Sequence, residues 1–396
     1  MSFSLYIHLP FCVQKCDYCD FFSKPHEGNV PDSYLDAVAK EANLYARVFE
    51  VDCWDTVYLG GGTPSLLTSE QITGLLSKLS MHISEKTKEI TIEMNPESVT
   101  EEKILTAQMT GFTRLSLGIQ SLNDKALKAV NRHCTSEKAK EALAIIKKCW
   151  RSQLNLDVIA GLPEQTDEEF ISSLKQIIAY EPDHISMYTL TVEDGTPLYN
   201  KIKDGISGFD QDKADEQWLK GRRLLEENGY VQYEVSNFAK PGKESLHNMT
   251  YWTQGNYAGV GAGATGSFYG RTSVRWTNTT DIEEYIAFWS KFKGSFEHSS
   301  PKKTEMLDIK TREYEFLMMG FRTLRGINSE EYKKRFANVA PWNGNLALRL
   351  GTEDGIWHRF AEEKLTSEKT EADGSTTYAL NSQGILLLNK FLVELM

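Results

Sequence analysis

Residues 9–23, "LPFCVQKCDYCDFFS", set Cys12, Cys16 and Cys19 within eight residues of one another, just after the short apolar run "LYIHL" (5–9). Thiolates at the spacing C-x3-C-x2-C can each bind a different iron of a [4Fe–4S] cube and leave its fourth iron without a protein ligand. The competing reading is zinc completed by His8, His26 or Asp20, but zinc sites usually bring a second, distant ligand pair, and none is visible. Either way, three thiolates are one short of a closed four-ligand site. Clustered cysteines in a chain of 396 residues point to metal or redox chemistry rather than a disulfide framework. Cys53, Cys134 and Cys149 read as small buried thiols.

Working outward from the cysteines, β-rich runs alternate with helical patterns. The runs are "LYIHL", "DTVYLGG" (55–61), "EITIEMNP" (89–96), "RLSLGIQ" (114–120), "LNLDVIAGLP" (154–163) and "HISMYTLTV" (184–192). Between them, Leu35, Val38, Ala42 and Tyr45 form one helical stripe. Thr68 with Gln71, and Thr166 with Glu169, have the form of capping boxes. Six strands alternating with helices predict parallel βαβ units and an α/β fold, a partial (βα)6 TIM-like barrel over residues 1–200. Polar or Gly-rich residues gather at the strand ends: the cysteine loop, "GGGTPS", Glu93 and Asn95, Gln120, and Asp157. The carboxyl ends of barrel strands form the face on which chemistry is assembled. Residues 201–295 read as a barrel extension carrying "HNMTYW" and a Gly-rich loop, and residues 296–396 as a C-terminal helical, winged-helix-like domain.

The balance of 44 basic against 55 acidic residues, a net charge of −11, argues against a nucleic-acid partner held through its phosphates. No apolar run is long enough to span a bilayer. The opening "MSFSLYIHLP" lacks the form of a secretory signal, so a cytoplasmic location is expected.

The cysteine triplet, the Gly-rich strand end and the partial barrel together resemble the radical S-adenosylmethionine (SAM) superfamily. The strings "LYIHLPFC", "GGGTPS", "IEMNPES", "SLGIQS", "LDVIAGLPEQT", "HISMYTLTVEDGTPLY" and "HNMTYW" are similar, over nearly the whole chain, to the oxygen-independent coproporphyrinogen III oxidase family, and within it to the heme-chaperone branch. The oxidase branch carries a further cysteine where this chain has Phe21, and a longer segment before the cluster motif than the eleven residues ahead of Cys12. Both departures favour the chaperone over the oxidase, which is kept as the alternative together with other radical SAM modifying enzymes.

The resemblance implies a [4Fe–4S] cluster on Cys12, Cys16 and Cys19. It implies SAM bound by Tyr6, Gly61, Gly62, Thr63, Glu93, Gln120, Arg132 and Asp157. It also implies heme, with His247 of "HNMTYW" as its axial ligand, and an apo-hemoprotein acceptor that can be membrane-associated. A homodimer is compatible with it. A structural ion-pair network of Glu93, Arg132 and Asp157 is the competing account of those three. For His247 the competing account is a hydrogen-bonding role, and His8 reads as an inward-facing barrel residue.

Overall fold

Along each barrel strand, large apolar residues alternate with polar ones, and that period of two decides which face meets the helices. A computed structural model describes residues 2–294 and 300–395. Its strands are β1 (Ser4–Leu9), β2 (Thr56–Gly61), β3 (Glu89–Met94), β4 (Arg114–Gln120), β5 (Gln153–Ala160) and β6 (His184–Thr189). They pair in parallel and in sequence order. The crossovers carry helices α1 (Asp32–Val48), α2 (Ser69–Leu79), α3 (Glu101–Met109), α4 (Asp124–Ala129), α5 (Ser136–Cys149) and α6 (Asp167–Ile178). Both expected capping boxes form, at Thr68 with Gln71 and at Thr166 with Glu169. The stripe Leu35, Val38, Ala42 and Tyr45 is buried.

Leu5, Ile7, Val57, Leu59, Ile90, Ile92, Leu115, Leu117, Leu156 and Ile185 point outward into the helix layer, and each is at most 6% exposed. The register puts their polar neighbours side by side on the inner face: Tyr6 beside Tyr58, Tyr58 beside Thr91, Glu93 beside Ser116, Ser116 beside Asn155, and Asp157 beside Ser186. Barrel interiors of this size are usually packed with branched apolar residues. This one is polar.

The sheet is wider than the six expected strands. Beyond α7 (Pro197–Lys203) and α8 (Gln211–Glu227), β7 (Val231–Gln232) and β8 (Asn237–Ala239) continue it antiparallel from β6. After α9 (Leu246–Trp252), β9 (Tyr257–Val260) pairs in parallel with the other side of β1, so seven strands run parallel. The antiparallel β10 (Thr265–Tyr269), β11 (Ser273–Asn278) and β12 (Lys302–Leu307) complete a twelve-stranded open sheet, ordered β12-β11-β10-β9-β1-β2-β3-β4-β5-β6-β8-β7.

The expected boundary at 295/296 lies outside the described residues. β12, just after it, still belongs to the large sheet. A separate core runs from Phe316 to Leu395, where short helices pack with a three-stranded antiparallel sheet of Ile327–Asn328, Thr376–Leu380 and Thr366–Thr370. Among the described residues, no helix is long and apolar enough to cross a membrane.

Candidate functional site

The carboxyl ends of the parallel strands open into a cavity of about 490 Å³. Cys12, Cys16 and Cys19 line it, together with Gly61, Gly62, Thr63, Glu93, Gln120, Arg132 and Asp157. Ten of the twelve residues singled out in the sequence thus meet in one place.

The cysteine loop is held from three sides. Phe11–Cys12 pairs with Lys24–Pro25, which closes the loop on itself. Asp17, 4% exposed, receives a hydrogen bond from Lys201 Nζ at 2.5 Å, and its amide donates to the Val130 carbonyl. Gly62 and Thr63 donate their amides to the Leu9 and Phe11 carbonyls at 2.8 and 2.7 Å. That approach leaves no room for side chains: a Cβ on Gly62 would lie 2.6 Å from the Phe11 oxygen. Gly61 has φ of +111°, and a Cβ there would meet the His8 ring at 2.4 Å.

The thiols have polar company. Thr63 Oγ1 donates to Cys12 Sγ, and Arg132 Nη1 to Cys16 Sγ, both at 3.5 Å. Arg132 Nη2 donates to Asn95 Oδ1 at 2.9 Å and to the Gly118 carbonyl at 2.6 Å. Asn95 Nδ2 in turn donates to Thr63 Oγ1 at 3.2 Å. Arg132 Nε is buried without a partner. Burial raises the Cys19 thiol above its usual range.

Two carboxylates form the floor. Glu93 accepts from Tyr58 Oη at 2.7 Å and from the Gly61 amide at 3.1 Å. Burial pushes its carboxyl up to about 7, and the nearby Asp157 charge adds to the shift against those two donors. Asp157 is also raised by burial, while accepting from Asn155 Nδ2 at 2.8 Å and from Ser116 Oγ at 3.2 Å. Arg132 does not pair with either acid. Its partners are a carbonyl, an amide and a thiol, so the competing account, an ion-pair network of these three, lacks its contacts.

Two expected residues lie apart. Tyr6 is not among the residues lining the cavity, and its hydroxyl shares a 2.9 Å hydrogen bond with His8 Nδ1. His8 uses its other nitrogen on the Phe22 carbonyl at 2.8 Å and faces inward as expected. His247 is 1% exposed, and both its nitrogens are taken, by Thr56 Oγ1 at 2.7 Å and Tyr251 Oη at 2.8 Å. Since the Thr56 hydroxyl donates to Ser4, it accepts from His247, leaving Nε2 to accept from Tyr251. Burial lowers this imidazole to about 3, so it stays neutral. His247 has no free nitrogen for iron; the hydrogen-bonding account fits it.

Sequence reasoning passed over Tyr58, which orients Glu93, and gave no role to Asn95, which bridges Arg132 and Thr63. Tyr58 lies two positions before Gly60, on the inward side of the alternation, and that position was its signal.

Three thiols and a side-chain-free glycine wall fit a cluster with an open coordination position. Among the described residues no three His, Cys, Asp or Glu side chains are placed to hold a single metal ion. A cube spreads its cysteines over separate irons.

Comparison with known proteins agrees. The radical SAM superfamily pattern matches residues 6–177. Heme chaperone HemW of Lactococcus lactis is 32% identical over 84% of this chain and 85% of its own, and HemW of Escherichia coli is 35% identical over 83% and 85%. The mouse protein named radical S-adenosyl methionine domain-containing protein 1, mitochondrial, is 32% identical over 86% and 77%. The solved structure of coproporphyrinogen III oxidase HemN from Escherichia coli superposes with a TM-score of 0.79 at 21% identity, covering 100% of this chain and 90% of that one, and so shares the fold. With its cysteine triplet, its glycine wall and relatives of this similarity along most of its length, the chain belongs to the HemW family of the radical SAM superfamily.

Proposed function

We propose that this protein is a heme chaperone: it carries a [4Fe–4S] cluster on Cys12, Cys16 and Cys19, binds SAM beside it, and passes heme to an apo-hemoprotein. The observation that carries the reading is the identity of about a third, along most of the chain, to proteins named for that role. The cavity supports the cofactor part. Gly61 and Gly62 give a ligand close access to backbone, Glu93 and Asp157 accept from hydroxyl or ammonium groups, and Arg132 and Asn95 can meet a carboxylate. Bound there, SAM would fill the open iron position, and the cluster would supply one-electron chemistry.

Phe21 favours the chaperone over the oxidase. It stands where the oxidase branch carries a further cysteine, and it is a 68% exposed apolar side chain in the lining of the cavity. Oxidative decarboxylation by a substrate radical needs a water-excluding site.

The test is heme titration of the anaerobically reconstituted protein, followed by transfer to an apo-hemoprotein with and without SAM and reductant. Transfer is expected. Conversion of coproporphyrinogen III to protoporphyrinogen IX above the level of a Cys12→Ser control would overturn the reading.

A further inference from the structure

Asp17 stands between two of the cysteines, one residue after Cys16 and two before Cys19, and its side chain is nearly fully buried. A buried carboxylate beside thiolates is unfavourable, since like charges in a poorly solvated place repel strongly. One cation meets it. Lys201 Nζ, from α7, lies 2.5 Å from Asp17 Oδ2, and it is the carboxylate's only ion-pair partner among the described residues. The two are 184 residues apart in sequence, so no local pattern joins them.

The backbone seats the loop here independently of the ion pair. The Asp17 amide donates to the Val130 carbonyl at 3.0 Å, and the Asp17 carbonyl accepts from the Leu198 amide at 2.9 Å. Tyr18 packs against a small core that includes Val130, Ile159, Leu190 and Leu198. Asp17 is therefore held at this spot whether or not its charge is matched. Lys201, 39% exposed, reaches in from solvent and meets the loop at that carboxylate. Arg132 is placed differently, against Cys16 Sγ itself.

We propose that Asp17 and Lys201 are a charge pair that sets the reduction potential of the cluster, the carboxylate opposing an incoming electron and the ammonium cancelling that opposition. The inference rests on the [4Fe–4S] reading above and adds two residues outside the ligand set that govern its redox behaviour. Iron–sulfur potentials follow net charge, hydrogen bonds to the sulfurs and solvent exposure, and groups behind the ligands tune a metal site. A buried charge is screened little by salt or water, so it acts on its surroundings at close to full strength. Neither residue is a ligand or a catalytic residue; both are positioning residues that act through the field at the cysteine loop. Reduction adds a negative charge, so losing the cation disfavours it and losing the carboxylate favours it.

The experiment is a potentiometric titration of the anaerobically reconstituted full chain, followed by the paramagnetic resonance of the reduced cluster. Lys201→Met is expected to lower the ratio of reduced to oxidised cluster at a fixed potential about ten-fold, equal to about 59 mV for a one-electron couple. Asp17→Asn is expected to raise that ratio, and the double variant to return near the unaltered value, because it removes both charges together. Lys201→Arg keeps the charge and should keep the potential. Iron content, and urea unfolding of the cluster-free chain, are read for every variant. A purely structural role would lower iron content or stability and leave the potential of the remaining cluster where it was, which would overturn the proposal. Shifts of one sign in all three charge-removing variants would overturn it as well. Should Lys201→Met not fold, the difference between Asp17→Asn and the double variant carries the same ten-fold expectation. An unaltered chain that takes up no iron would overturn the cluster reading with it.

Discussion

Acidification is expected to weaken SAM binding through Glu93. Its carboxyl is raised from 4.5 to about 7, chiefly by burial, and its two hydrogen-bond donors only partly offset that. An ammonium or hydroxyl donor on the ligand needs the carboxylate, so the protonated fraction of the free protein competes with binding. The apparent dissociation constant scales as one plus ten to the power of pKa minus pH. With a pKa of about 7 that factor is about 11 at pH 6 and about 1.1 at pH 8, a ten-fold change worth roughly 1.4 kcal/mol. The sign is fixed: affinity rises with pH, and near pH 7 binding expels about half a proton. Calorimetry of SAM binding to the cluster-loaded protein in two buffers of different ionisation enthalpy reads both quantities. Glu93→Gln keeps the shape and should flatten the profile while lowering affinity at pH 8. An affinity independent of pH in the unaltered protein, or an equal slope in Glu93→Gln, would refute the reasoning.

Gly61→Ala should be among the most damaging small substitutions, because it forces both a positive φ and a 2.4 Å contact with His8. A loss of about 2–4 kcal/mol is expected from urea unfolding, with poor cluster reconstitution. Arg114→Met strands Glu89, whose carboxylate takes Arg114 Nε at 2.8 Å and the amides of Leu246 and His247. Both side chains are nearly fully buried, so about 3–5 kcal/mol should go, measured the same way. Cys12→Ser should abolish the visible absorption of the reconstituted cluster yet leave heme binding measurable. Parallel loss of heme binding would show that the two sites are not independent.

The strand runs, the capping boxes and the convergence of the rim residues were legible because each rests on local pattern: period two, helix-start chemistry, and the rule that strand ends share a face. The seventh parallel strand was not. "YAGV" is short and Gly-flanked, and its pairing with β1 is set by an encounter some 250 residues apart in sequence. For His247, a motif can give a residue importance without saying which way it points. Helix α9 turns His247 towards Tyr58 in the barrel, with Met249 and Trp252 on the opposite side. Tyr58 was missed and Asn95 was given no role because each acts by orienting a neighbour, and a hydrogen bond between strands leaves no trace in either strand alone.

The placement of β1 also bears on how the molecule is made. The strand that launches the cysteine loop is interior, bonded to β2 on one side and to β9 on the other. During synthesis β2 follows it within about fifty residues, whereas β9 emerges roughly two hundred residues later. Through that interval one flank of β1 is an open edge, with unpaired amides and carbonyls that invite foreign strands. Gly261, just past β9, accepts a hydrogen bond from Asn278 and donates its amide to Glu41 of α1, fastening the late strand to the early helix. Completion of the pairing around the strand that launches the cysteine loop is thereby tied to segments beyond residue 255, and truncated or stalled products would keep one edge of β1 open.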